Sequence, residues 1–154
     1  MKDEYSSMTP QEKKIDLYLR QKHTLDLFLE RFDGITSYLQ RIMNMLFTQT
    51  AKGETCTLPM IDVAINDLLD FSSDTYESLL YQMPEKQKEV FIAIAAEGNV
   101  KNISGSTFVK KYRLTSASSV LSAVKSLLEK DFITQEKNVY SVYDKFFALW
   151  MRRH

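Results

Sequence analysis

The chain has 154 residues, 44% of them hydrophobic, and its 20 basic and 20 acidic side chains give no formal net charge. That apolar content is enough for a packed core in one domain or two small ones, and no segment approaches the ~20 apolar residues of a membrane span. The polar start lacks the apolar run of a secretion signal, so we expect a soluble globular protein of the cytoplasm.

The residues that usually carry metal or catalytic chemistry are scarce. A single cysteine, Cys56, excludes an internal disulfide, and only His23 and His154 could join it in a metal site. We therefore expect a reduced thiol, buried or in a loop, with no metal and no cofactor. No serine stands in a pattern that supplies a base and an orienting group, so the sequence predicts no enzymatic activity.

The zero net charge hides a division between the two parts of the chain. Residues 1–98 hold 10 Lys and Arg against 16 Asp and Glu, whereas residues 99–154 hold 10 against 4. Such asymmetry hints that one part faces nucleic acid, although a run of charges is also typical of a solvated surface.

The first half of the chain has the apolar spacing of helices. Thr9 can cap a helix with Pro10 at its first position, and after Gly34 a second helix covers residues 35–50. A third begins at Thr55 or Thr57, and a fourth follows a Ser72-Ser73 cap. The predicted inward positions are Ile15, Leu19, Leu25, Phe28, Leu29 and Phe32 in the first helix, and Tyr38, Leu39, Ile42, Met45 and Leu46 in the second.

Pro84 marks a predicted domain boundary, and a helix follows it to Gly98, a residue that commonly ends helices. Its inward residues are Val90, Phe91, Ile94 and Ala95. Residues 99–104 are too few for a helix and could form a short strand. Ser104 or Ser106 can then cap a further helix.

The stretch from Thr115 to about Asp131 predicts a helix, capped by Thr115 or Ser116, with two unlike faces. One face carries Val120, Val124, Leu127 and Leu128, and the other is rich in serine. Two short extended runs follow, 132–135 and 139–143, joined by the polar turn at 136–138, which indicates a hairpin.

Asp144 can cap a last helix that is rich in aromatic residues. Phe146 and Trp150 are predicted to fasten the hairpin and the last helix to the core, since large rings bury the most area. An exposed dimer surface is the alternative for some of the aromatic side chains between Tyr140 and Trp150.

Helix, short strand, helix, turn, helix and hairpin is the order of a winged helix-turn-helix. In that arrangement the free face of the third helix can enter a DNA major groove, and small hydroxyl side chains can approach phosphates and base edges. The candidate nucleic-acid-binding residues are Lys110, Lys111, Arg113, Ser116, Ser118, Ser119, Ser122, Lys125 and Lys137. A solvated face without a partner is the other reading of these residues.

Three motifs carry a family resemblance: Tyr112-Arg113-Leu114 leading into Ser118-Ser119-Val120, the helix end Leu127-Leu128-Glu129-Lys130, and Val142-Tyr143-Asp144 with Phe146-Phe147 and Leu149-Trp150. On these motifs the second half resembles the C-terminal winged helix of a family of AAA+ type ATPases found in archaea and in Bacteroidetes-like bacteria. Residues 31–46 are similar, more loosely, to the lid helix that follows the nucleotide core. The resemblance implies a mainly α fold divided into 1–24 (a helical segment that it does not place), 25–83 (a lid-like bundle) and 84–154 (the winged helix-turn-helix).

The chain departs from that family in one important respect. A complete member begins with a phosphate-binding loop containing two glycines and a lysine, and the four glycines here, Gly34, Gly53, Gly98 and Gly105, do not form one. The resemblance thus implies the non-catalytic C-terminal portion of such an ATPase, either a trimmed piece or a separate gene product. In related lids an arginine can touch the terminal phosphate of the nucleotide, and Arg41 is the candidate here; a surface salt bridge is its alternative role.

Two functions remain open from the sequence. In the first, the winged helix binds double-stranded DNA, as the basic balance of residues 99–154 suggests. In the second, it is a protein-interaction or regulatory module that docks on an ATPase core, in cis or in trans, or on another partner. The modest charge, Glu129, Asp131 and the lack of side chains suited to bidentate base contacts keep the second open as the alternative.

Overall fold

The computed structural model describes residues 9–11, 13, 26, 32 and 34–154, and the chain divides into two compact units, residues 1–65 and 66–154. Most of the helix predicted from Thr9 lies outside the described residues. Where it is described, it begins as expected: Pro10 and Gln11 are helical, and the backbone N–H of Lys13 donates to the carbonyl of Thr9 at 3.0 Å. Five of its predicted inward positions lie outside the described residues, namely Ile15, Leu19, Leu25, Phe28 and Leu29.

In the first unit, helix α1 (Thr36–Gln49) follows Gly34, whose φ of 72° lets the chain turn where other residues would be strained. Ile42 and Leu46 are buried as predicted, but the prediction for Leu39 is wrong, since its side chain is 40% exposed. Leu39 lies on the same face of α1 as Leu46 but about two turns closer to the start of the helix. Apolar spacing identifies a face, but it does not say how far along the helix the covering layer extends.

Helix α2 (Leu58–Phe71) begins directly after Thr57. The backbone N–H of Met60 donates to the carbonyl of Thr57 at 3.1 Å, and Pro59 lies in the first turn, where its missing N–H costs nothing. Cys56 is exposed and lies in the segment between α1 and α2.

Besides the end of α2, the second unit contains five complete helices and one two-stranded antiparallel sheet. They are α3 (Ser73–Gln82), α4 (Glu85–Glu97), α5 (Ser106–Lys111), α6 (Ala117–Glu129), β1 (Ile133–Glu136), β2 (Val139–Val142) and α7 (Lys145–Arg153). Among the residues that the structure describes, no helix combines the length and the apolarity needed to cross a membrane.

Helix α4 lies at the centre of the second unit and packs against α6, α7 and β2. All four of its predicted inward residues are buried, and Phe91 and Ile94 are completely so. Gly98 ends the helix with a φ of 85°, a conformation that favours glycine. The position of α4 follows directly from its apolar spacing.

Two local predictions between α4 and α6 are wrong. The short strand expected at 99–104 is reduced to one bridge, in which the backbone groups of Val100 and Tyr140 exchange hydrogen bonds of 2.8 and 2.9 Å. The cap expected from Ser104 or Ser106 is absent, because Gly105 holds the N-cap position. A Cβ on Gly105 would lie 2.6 Å from the side-chain nitrogen of Asn102, so any other residue there would force the Asn102 side chain to shift.

Helix α6 begins as the sequence predicts, with Ser116 as the capping residue. The Ser116 hydroxyl accepts a hydrogen bond from the backbone N–H of Ser119 at 3.2 Å. Val120, Val124 and Leu127 are buried, whereas Leu128 is only half-buried. The apolar face of α6 packs on α4 and leaves the serine-bearing face outward.

The wing is the hairpin of β1 and β2, in which Ile133 pairs with Val142 and Glu136 with Val139. Its turn has two residues instead of the three expected, because Glu136 continues the strand. Lys137 and Asn138 both have positive φ, 47° and 64°, the conformation of a two-residue hairpin turn whose twist matches that of the strands.

Helix α7 closes the second unit and confirms the prediction for its aromatic residues. Asp144 caps it by accepting from the backbone N–H groups of Phe146 at 2.9 Å and Phe147 at 3.3 Å. Phe146 and Trp150 are buried, while Tyr143 stays 61% exposed. The mainly α fold with a small β wing is therefore confirmed as a winged helix-turn-helix.

Candidate nucleic-acid interface

The outward face of α6 carries side chains that repeat at helical spacing. Ser118, Leu121, Ser122 and Lys125 are exposed, and their separations of three and four residues place them on one side of the helix. Ser119 is only half-buried, one position off this face. Among the predicted serines, Ser118 and Ser122 are thus the two best placed to meet a partner.

Ser116 has a structural role as well as a place beside this face. Its hydroxyl accepts from the Ser119 N–H and lies 3.1 Å from the hydroxyl of Ser118, a distance at which either group can donate. A hydroxyl that caps a helix keeps little freedom to contact a ligand, so Ser116 contributes to the face mainly by fixing the start of α6.

Leu121 is a residue of this face that the sequence reasoning missed. It is 49% exposed, and it lies between Ser118 and Lys125, so the face is not purely hydroxyl-bearing. The signal was present in the spacing, since Leu121 follows Ser118 by three residues and precedes Lys125 by four. An apolar side chain here can contact a thymine methyl group or an apolar protein surface.

Exposed cations stand before and after α6 along the chain. Lys110 is on α5, Arg113 lies in the turn between α5 and α6 with a φ of 53°, and Lys137 is at the tip of the wing. None of the three forms a salt bridge with any residue described in the structure. Lys125 approaches Glu129 at 4.0 Å across one turn of α6, a weak surface contact.

Lys111 differs from these cations because it is held by an internal carboxylate. Its ammonium lies 2.5 Å from Oε2 of Glu97, the last residue of α4, and the Tyr112 hydroxyl donates to the same oxygen at 2.6 Å. The Lys111 ammonium also lies 5.2 Å from the centre of the Tyr112 ring. These three side chains join the ends of α4 and α5.

The ionisation of the cluster follows from its hydrogen bonds. The bonds from Lys111 and then Tyr112 lower the pKa of Glu97 below its ordinary value, because both stabilise the carboxylate. The bond to Glu97 raises the pKa of Lys111. Burial, followed by the bond to the Glu97 anion, raises the pKa of Tyr112. At neutral pH Glu97 is therefore ionised, Lys111 is protonated, and the two form an ion pair beside the neutral phenol of Tyr112.

A family model described as a probable winged helix domain matches residues 74–153, which is just over half of the chain. The chain belongs to this winged helix family. No curated protein and no solved structure matches it. The matched range begins inside α3, upstream of Pro84, and α3 packs on the last helix: the rings of Tyr76 and Phe147 stack with centroids 4.4 Å apart.

The remaining predictions concern Arg41, the family resemblance, the domain boundaries and a metal site. Arg41 is exposed on α1, in the first unit, and already has a partner. The likeness to AAA+ ATPases and the division at 24/25 and 83/84 stay predictions. Within the described ranges no three His, Cys, Asp or Glu side chains are grouped as metal ligands would be.

Proposed function

We propose that this winged helix binds double-stranded DNA, weakly and without marked sequence preference, through the outward face of α6 and the cations on either side of it. The observation that carries the proposal is the set of three exposed cations, Lys110, Arg113 and Lys137, which have no salt-bridge partner among the described residues. Unneutralised cations that precede and follow a partly hydroxyl-bearing helix face along the chain suit a polyanion.

The lack of sequence preference follows from the side chains of α6. Bidentate contacts to guanine or adenine require Arg, Lys, Asn or Gln in suitable geometry, and the only such residue in α6 is Lys125, which lies near Glu129. The hydroxyls of Ser118 and Ser122 can donate or accept, so they fit several base edges about equally well. Affinity should therefore come chiefly from phosphate contacts.

The number of cations sets the expected dependence on salt. If three or four of Lys110, Arg113, Lys125 and Lys137 meet phosphates, a slope of about −0.9 per contact weakens binding roughly 40- to 150-fold between about 50 and 200 mM salt. A packed protein interface would change little over the same range.

The test is fluorescence anisotropy of a labelled random-sequence duplex, titrated with the protein at both salt concentrations. The Lys110→Glu/Arg113→Glu variant is expected to abolish binding without disturbing the Glu97 cluster. Lys52→Glu/Lys86→Glu is the matched control: it changes the net charge equally, and both lysines are exposed and lack salt bridges to described residues. Absence of binding by the wild type at low salt, or equal losses in the two variants, would overturn the proposal.

A protein-interaction or regulatory role is the second candidate, and Leu121 is the observation that favours it. A half-exposed leucine in the middle of the outward face is suited to an apolar partner, and Tyr143 is exposed as well. Under this alternative the winged helix docks on an ATPase core in cis or in trans, as the resemblance implies. Salt-insensitive capture of a protein partner that Leu121→Glu abolishes would support it.

The proposal assigns no catalytic step to this chain. The purified protein is expected to release no phosphate from ATP, with or without duplex DNA, since the sequence lacks a phosphate-binding loop. Hydrolysis that survives repurification and depends on Arg41 would contradict this assignment.

A further inference from the structure

The cluster of Glu97, Lys111 and Tyr112 has a geometry that a nucleic-acid phosphate could share. One carboxylate oxygen receives an ammonium at 2.5 Å and a phenolic hydroxyl at 2.6 Å. Lysine and tyrosine side chains are both common donors to phosphate oxygens in DNA complexes. Glu97 thus accepts both hydrogen bonds from Lys111 and Tyr112, two side chains of the kind that contact the DNA backbone.

The position of the cluster makes this internal contact relevant to binding. Lys111 lies between Lys110 and Arg113 in sequence, and both of these are exposed without a salt bridge to any residue in the described part of the chain. The Lys111 side chain is itself 57% exposed, so a phosphate can reach it. Of the basic residues at the end of α5 and in the following turn, only Lys111 is neutralised.

We propose that Glu97 is an internal competitor of the DNA backbone, which occupies Lys111 and Tyr112 and thereby holds the affinity of the winged helix for DNA below the level that its cations would otherwise give. This inference rests on the proposed DNA-binding function and extends it by a named regulating residue. A phosphate that approaches Lys111 must either displace the carboxylate or remain beside it. Displacement breaks the bonds from Lys111 and Tyr112 to Glu97, and a phosphate beside the carboxylate is repelled because the two groups carry the same charge.

The competitor role makes a prediction that a purely structural contact would not make. If Glu97 only joins α4 to α5, Glu97→Gln should leave DNA binding unchanged or weaken it. If Glu97 competes with phosphate, the same change should tighten binding about three- to tenfold at low salt. It should also make the salt slope steeper by about 0.9, because one further cation becomes available.

The experiment compares duplex binding of the full chain with that of three variants. Glu85→Gln is the matched control, since Glu85 is on the same helix, about 18 Å from Glu97 along its axis, and forms a comparable surface pair with Lys88 at 3.1 Å. The double variant Glu97→Gln/Lys111→Gln tests whether Lys111 is the group that binds the phosphate. The gain in duplex affinity from Glu97→Gln should vanish when Lys111 can no longer receive the phosphate. Circular dichroism confirms that each variant is folded at the temperature of the titration.

The outcomes separate this inference from the function on which it rests. A gain in Glu97→Gln alone, lost again in the double variant, supports the competitor role. Salt-sensitive binding by the wild type with equal affinities for Glu97→Gln and Glu85→Gln overturns the inference and leaves the DNA-binding function standing. Absence of duplex binding by both the wild type and Glu97→Gln overturns both.

Discussion

Truncation of Trp150 is expected to destabilise the winged helix strongly, because this side chain ties α7 to α3. Its indole is 4% exposed and contacts the rings of Tyr76 and Phe147, with centroids 5.7 and 6.1 Å away. Its N–H donates to the hydroxyl of Ser73 at 3.0 Å. Trp150→Ala removes the packing and the hydrogen bond together.

The expected loss of unfolding free energy is about 3–5 kcal/mol, as for other buried Trp and Phe truncations. With an m-value of about 2 kcal/mol per molar, the urea midpoint should fall by about 1.5–2.5 M. Trp150→Phe keeps much of the ring packing, so its loss should be smaller, about 1–2 kcal/mol, part of it from the missing hydrogen bond. Far-ultraviolet circular dichroism in a urea titration measures all three proteins.

Ser73→Ala isolates the hydrogen bond. In the wild-type background it leaves the indole N–H without its acceptor, whereas in the Trp150→Phe background there is no N–H to leave unpaired. The cost of Ser73→Ala should therefore be about 1 kcal/mol larger in the first background than in the second. Equal costs would refute the bond as a source of stability, and a folded Trp150→Ala protein with an unchanged midpoint would refute the assignment of Trp150 to the core.

Three further changes test the local structure and the interface. Asp144→Ala removes the cap of α7 and should cost about 1 kcal/mol in a urea titration; no loss would mean that the two backbone N–H groups find other partners. Asn138→Val should destabilise the wing by about 1–2 kcal/mol, because a β-branched residue resists positive φ, while Asn138→Gly should be nearly neutral. The folded-state pKa of Glu97 is lowered, so its contribution to stability is present above its ordinary value of 4.5 and is lost as the pH falls through the lowered value. The difference in melting temperature between wild type and Glu97→Gln should therefore be constant near neutral pH and should shrink as the pH falls below 4.5; a difference that does not change on acidification would contradict the assigned ionisation.

The sequence correctly predicted the helices and caps that depend only on residues within one or two turns of each other. The apolar spacing of α4, the hydroxyl at the start of α6 and the carboxylate before α7 act within one or two helical turns, so they can be recognised in a single sequence. The same reasoning gave the order of helices and the hairpin, and with them the winged helix arrangement.

Features that depend on distant parts of the chain had no such signal. Ser73 is 77 residues from Trp150, and Glu97 is 14 residues from Lys111, so neither contact leaves a periodic pattern. For the candidate interface, the sequence located the helix and its cations but missed Leu121, and it could not tell that Lys111 is paired with Glu97.

The neutralised cation matters because the interface has few others. If affinity rests on about four phosphate contacts, as the side chains of α6 and its neighbours suggest, each contact accounts for about a quarter of the salt slope. Release of Lys111 from Glu97 would raise the count to about five and change that slope by a measurable fraction. Sequence-specific contacts would not obscure the change, because the hydroxyls of Ser118 and Ser122 do not favour one base. The difference between the salt slopes of the wild type and Glu97→Gln would therefore report directly on whether Lys111 meets DNA.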